Sequence, residues 1–100
     1  MRVILHPQAF AELEDAYRWY EDKAGNLGHE FLEHVDHAVE AIRESPTRWP
    51  VYQEEFGVRR FLVHRFPFGV LYRLISGDIQ VVAIMHLRRK PGYWIDRMRR

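Results

Sequence analysis

The spacing of the apolar residues changes once along this chain, and that change constrains its architecture more than any other feature. Up to Ser45 the hydrophobic residues recur every three to four positions, and from Val58 onward they alternate. The first pattern lines one stripe of a helix; the second lines one face of a strand. Ala9, Leu13, Ala16, Tyr17, Tyr20 and Ala24 form a first helical stripe, with Glu12, Glu14, Asp15, Arg18 and Glu21 on the rest of the wheel. His6-Pro7 opens it, because the missing N–H of proline costs nothing in a first turn. Gly25-Asn26 supplies a stop and a new cap, and Leu27, Phe31, Val35, Ala38 and Ile42 make a second stripe that closes at Ser45-Pro46. So short a connection predicts an antiparallel helical hairpin.

Three strands are expected after the loop through Trp49-Pro50: Val58–Phe66, Gly69–Ile75 and Ile79–Leu87, punctuated by Pro67 and Ser76-Gly77-Asp78. They read as an antiparallel meander. Arg2–Leu5 is a further short β-favouring run whose place in the sheet stays open. The expected fold class is α+β, in the order β-α-α-β-β-β, as one domain over residues 1–100 with the hairpin packed on one face of an antiparallel sheet. Strict alternation puts Phe61, Val63, Val70, Tyr72, Leu74, Ile79, Val81, Ala83, Met85 and Leu87 under the helices. The opposite face then receives Arg60, Leu62, His64, Phe66, Leu71, Arg73, Ile75, Gln80, Val82, Ile84, His86 and Arg88, a wet face with a basic cleft.

Charge is distributed to match. Residues 1–58 hold 5 basic and 12 acidic side chains, whereas residues 59–100 hold 10 basic and 2 acidic ones, so a formal net charge of +1 hides a strong asymmetry. The absence of cysteine removes thiol nucleophiles, disulfides and cysteine-ligated metals. No apolar run reaches the roughly 18 residues of a membrane span, and the N-terminus lacks the apolar core of a signal peptide, so a cytoplasmic protein without membrane contact is expected.

Chemistry is carried by few side chains. Phosphodiester cleavage through a 2′-hydroxyl needs a proton acceptor, a donor and cations. His86 is the candidate acid or base, Arg73 and Arg60 are candidate phosphate clamps, and Tyr93 is a candidate stacking or proton-relay group. The alternative is structural, with His86 ending a strand and the arginines solvated. His64 and the cluster Arg88-Arg89-Lys90, with Arg97, Arg99 and Arg100 in the tail, are candidate contacts to a target, either a phosphate backbone or an acidic protein segment. Trp19, off the stripe of its helix, and Trp94 are candidate partner contacts; for Trp94 and Tyr93 the competing reading is an anchor for the C-terminus over the sheet. Glu30, His34 and His37 share a flank of the second helix at metal-ligand spacing, but a fourth ligand is missing and the flank reads as solvated, so neither metal nor cofactor is expected. Glycine-rich phosphate loops, nucleophile elbows and paired catalytic carboxylates are absent from the sequence.

Two blocks carry a resemblance. The run Arg59 to Arg73, with Phe66-Pro67-Phe68 before Tyr72-Arg73, and the run Val81 to Trp94, with His86-Leu87-Arg88-Arg89-Lys90-Pro91-Gly92-Tyr93-Trp94, resemble the RelE/ParE superfamily of toxins from type II toxin–antitoxin systems. Ala11 to Ala16, Trp19-Tyr20-Glu21 and Leu27-Gly28 before Phe31-Leu32 extend the likeness over nearly the whole chain. The resemblance implies the same α+β fold, a toxin neutralised by a cognate antitoxin, and one of two targets. RelE-like members cut mRNA on the ribosome with basic residues, and in some branches a histidine and a tyrosine, on the exposed sheet face; ParE-like members poison DNA gyrase without cutting. His86 in its basic block and the terminal Tyr-Trp pair look more like the ParE branch. With only Lys23 and Lys90, the chain also lacks the lysine-rich strand of the RelE prototype. Gyrase inhibition is thus the leading expectation, mRNA cleavage the alternative, and a non-toxic binding protein of the same fold a third.

Overall fold

The computed structural model describes residues 1–99. The chain runs β1 (Val3–Leu5), α1 (Pro7–Lys23), α2 (Leu27–Glu44), β2 (Val51–Gln53), β3 (Val58–Leu62), β4 (Phe68–Ile75) and β5 (Asp78–His86), and ends in a 3-10 turn at Ile95–Met98. The strands form one sheet in the order β1-β5-β4-β3-β2. The β3-β4-β5 meander is antiparallel, as the alternating runs require. β1 joins parallel to β5, pairing Val3 with Ile79 and Leu5 with Val81, because the hairpin crosses over the sheet between them. The sheet is therefore mixed rather than wholly antiparallel.

Capping sets the hairpin. His6 Nδ1 accepts the N–H of Gln8 at 3.1 Å, and Pro7 fills the first turn of α1. The connection turns on Asn26, whose φ is +72°, and the cap of α2 comes not from Asn26 but from α1: the Glu21 carboxylate accepts the N–H groups of Asn26 (3.2 Å) and Gly28 (2.8 Å). A glycine is required at 28, because a Cβ there would stand 2.6 Å from the carbonyl oxygen of Tyr17. Phe31, Val35, Ala38 and Ile42 are buried as their period predicts. In α1 only Ala9 and Ala16 are fully buried, and Ala24 lies beyond the helix end and is exposed.

Three differences from the sequence pattern matter for the site. β2 is a short edge strand held by two residue pairs to β3, too short for alternation to reveal. β3 stops at Leu62 rather than Phe66: Arg65 adopts φ +74°, and the turn folds Phe66 back against Tyr20 and Phe31. Finally, Leu71 pairs with Ala83 but Tyr72 pairs with Val81, which leaves Val82 as an extra residue, a β-bulge. Beyond it every side chain of β5 changes face. Ile84 joins the helix-side core, and Ala83 and Met85 join the opposite one. His86 moves with Ile84 to the helix side.

Both sheet faces are consequently covered. The helix-side core gathers Phe31, Val35, Ile42, Phe66, Phe68, Val70, Tyr72 and Val81. The face expected to be wet carries a second core of Val58, Leu71, Val82, Ala83 and Met85 under Trp94, with Ile95 and Met98 alongside. The Tyr72 hydroxyl donates to the carbonyl of Pro46 at 2.7 Å and ties the sheet to the loop after α2.

Candidate functional site

A groove of about 580 Å³ lies between α1 and the far ends of β4 and β5. Ala16, Trp19, Tyr20, Pro67, Phe68 and Ile84 form its apolar floor and walls, Glu12 and Asp15 stand on one side, and His86 and Arg89 at one end. Helical spacing aligns Glu12, Ala16 and Tyr20 along α1, and the bulge turns Ile84 and His86 toward them. A smaller notch of about 330 Å³ lies at the opposite edge, beside Trp49, Tyr52, Arg60 and Leu62.

Glu12 is the densest point of the region. β1 covers β5 only as far as Val81, and beyond it the edge of β5 is served by side chains instead of a strand. The Glu12 carboxylate accepts the N–H of Ile84 at 3.0 Å, the Tyr93 hydroxyl at 2.8 Å and two N–H groups of Arg97 at 2.9 and 2.7 Å. Arg97 also donates to the carbonyl of Val82 at 2.9 Å. The pair is largely buried, with side-chain exposures of 8% for Arg97 and 14% for Glu12. Burial pushes the Arg97 guanidinium down, but its bonds to and the charge of Glu12 outweigh that and hold it above its ordinary value. Arg89 stacks over the Tyr93 ring at 3.9 Å and stands 3.7 Å from the same carboxylate.

The candidate catalytic residues do not converge. Arg60 and Arg73 lie on the face away from the helices, Arg60 over the ring of Tyr52 at 4.5 Å and Arg73 donating to Gln80 at 2.8 Å. His86, expected beside them, lies in the groove instead, because the bulge reverses the face of everything after Val82. Its ring edge meets Phe68 at 5.1 Å and its Nδ1 accepts the N–H of Arg88 at 3.1 Å, which in the neutral ring leaves the proton on Nε2. Tyr93 gives its proton in a hydrogen bond to Glu12, and burial, then that bond, raise its pKa far above the ordinary value. A phenol so held is a poor proton relay.

Among the binding candidates, Trp19 is 57% exposed on the groove wall, with Lys23 over its ring at 4.6 Å. Trp94, expected as a partner contact, is 1% exposed and packed into the second core, which corrects that expectation in favour of the anchoring role. His64 is exposed in the β3–β4 turn, its ring nearly parallel to that of His34 at 5.7 Å. Arg88 and Lys90 are exposed in the turn after β5, beside Arg89. Arg97 belongs to the buried pair, Arg99 faces Asp96 at 3.5 Å, and Arg100 lies outside the described residues. Glu30 is paired with Arg65 and its carbonyl with His34, and no group of three or more metal-ligating side chains is assembled among the described residues. No helix among them is long and apolar enough to cross a membrane.

A helical hairpin laid across a five-stranded mixed sheet, with a groove along its first helix, is a small α+β fold. Residues 3–91 match the family described as the ParE toxin of type II toxin–antitoxin system, parDE, and the chain belongs to that family. Among solved structures, a chain of the chromosomal ParDE TA system from P. aeruginosa shares the fold at a TM-score of 0.77 and 21% identity, over 88% of this chain and 97% of that one. No curated protein matches the sequence.

Proposed function

We propose that the chain arrests growth by binding DNA gyrase and that a cognate antitoxin neutralises it by filling the groove beside α1. The observation that carries the non-catalytic reading is the dispersal of the four candidate catalytic groups. Arg60 and Arg73 are on one face of the sheet, His86 is on the other, and the Tyr93 hydroxyl is committed to Glu12. A ribonuclease needs its acid, base and cations around one phosphate. A gyrase poison needs a surface, and the exposed turn Arg88-Arg89-Lys90 supplies cations for one, with the exposed His64 a further candidate contact in the β3–β4 turn. The groove has what a partner helix seeks: an apolar floor, an exposed Trp19 and flanking charges of both signs.

The test is induced expression in bacteria, with DNA synthesis and translation followed separately, alongside supercoiling by purified gyrase. The expected result is a prompt stop in DNA synthesis and inhibited supercoiling, unchanged in His86→Ala. A prompt stop in translation with mRNA cut on the ribosome would replace this reading with the nuclease one, and the absence of any arrest would leave a non-toxic binding protein.

A further inference from the structure

The family match ends at residue 91, and residues 93–99 fold onto the sheet face opposite the helices. Tyr93–Arg99 is attached in an unusual way. Among the described residues, its backbone N–H groups bond only to carbonyls three residues earlier: Tyr93 to Lys90, Ile95 to Gly92, Arg97 to Trp94 and Arg99 to Asp96. Contact with the rest of the molecule runs through side chains: Trp94 in the second core, Arg97 on the carbonyl of Val82, and Tyr93 and Arg97 on Glu12. The Trp94 indole N–H is buried with no acceptor among the described residues, and a buried donor without a partner favours any state in which water reaches it. The segment leaves the sheet through Pro91-Gly92, with Gly92 at φ +77°, a turn free to redirect it. Such a segment separates from the sheet without breaking a strand pair.

We propose that Tyr93–Arg99 is a strap that opens and closes on the sheet, that Glu12 is its latch, and that the latch couples the strap to the groove. Glu12 reaches both sites: its carboxylate lines the groove from α1 and passes the edge of β5 to hold Arg97 and Tyr93. An occupant of the groove excludes water from the Glu12–Arg97 pair and strengthens it. Conversely, a closed strap keeps the Tyr93 ring under Arg89, which forms one end of the groove. Filling the groove and closing the strap therefore favour each other, by the same factor in both directions. The coupling rests on the groove being the antitoxin site; the latch does not.

Limited trypsinolysis of the full chain, followed by intact mass, tests both. Cleavage after Arg97 requires its buried guanidinium to leave Glu12, whereas cleavage after Arg73, inside β4, requires the sheet to open. Glu12→Gln is expected to raise cleavage after Arg97 by about tenfold or more and to leave cleavage after Arg73 unchanged. Tyr93→Phe, which keeps the ring under Arg89 and the Arg97 pair intact, is expected to raise it by a smaller factor. An unchanged rate after Arg97 in both variants overturns the latch, as does an equal rise at Arg73, which would make Glu12 a support of the whole fold. With wild-type chain, added antitoxin is expected to slow cleavage after Arg97. An antitoxin whose binding is weakened by Trp19→Asp but which leaves that rate unchanged overturns the coupling; one that binds wild type and Trp19→Asp alike overturns the antitoxin reading of the groove, and the coupling with it, while the Glu12→Gln result still decides the latch.

Discussion

Single side chains at the joints of this molecule carry consequences out of proportion to their size. Gly28 is held against the backbone of Tyr17, and the added methyl of Gly28→Ala has nowhere to go without parting the helices. The substitution is expected to lower the unfolding free energy by about 1–3 kcal/mol, read from urea denaturation. Glu21 and His6 give the stability its pH dependence. Burial pushes the Glu21 carboxyl up, but the N–H groups of Asn26 and Gly28 and the neighbouring His29 outweigh that and lower its pKa. Burial and the charge of Arg97 lower that of His6 against the opposing pull of Glu12. Both groups hold fewer protons folded than unfolded, so each contributes stability that is complete above its unfolded pKa and is lost as pH falls through the folded one. Thermal melts are expected to weaken first below the ordinary histidine value of 6.5 and again below the carboxylate value of 4.5, with His6→Gln removing the first step and Glu21→Gln reducing the second, to which Asp78, held down by its bond from Arg2, also contributes.

At the scale of the elements, packing concentrates on α2. Phe31 touches Tyr20, Phe66 and Phe68 with ring centroids 5.1 to 5.3 Å apart, joining the hairpin to the sheet through one residue. Phe31→Ala is expected to cost about 3–5 kcal/mol, measurable as a fall in the denaturation midpoint with little change in slope. These elements are also where the sequence is most readable. The second helix declares itself through a stripe from Leu27 to Ile42 that the structure buries nearly throughout, and the meander through three runs of alternation. What escapes is what has no period. β2 is three residues long, the turn at Arg65 is set by a positive φ that no motif marks, and the bulge at Val82 is defined by its partner strand rather than by its own residues. The site suffers most, since the face of His86 depends on that bulge. Glu12, grouped above with the polar side of its wheel, does leave a trace: it falls three residues after Ala9 and four before Ala16, both buried, so it borders the apolar stripe, where a carboxylate calls for a partner. That the partner is Arg97, 85 residues away, is beyond any local reading.

For the whole molecule, the two cores divide the work. The helix-side core carries the groove and its exposed Trp19; the opposite core carries the strap. Trp19→Asp, which sets a charge on the groove wall without touching a buried residue, is expected to weaken antitoxin binding by tenfold or about 1.4 kcal/mol and more, while growth arrest in the absence of antitoxin persists. Pull-down and plating efficiency with and without co-expressed antitoxin check the two halves separately. The bulge ties this division to chain length. A strand is a two-beat rhythm, and Val82 is one added beat, after which inside and outside trade places. The same residues in unbroken alternation would send Ile84 and His86 to the strap's side and Met85 toward the groove, whereas excising Val82 would remove the bulge and keep Ile84 and His86 where they are. In this scaffold, the chemistry shown to a partner is written partly in the number of residues and not only in their identity.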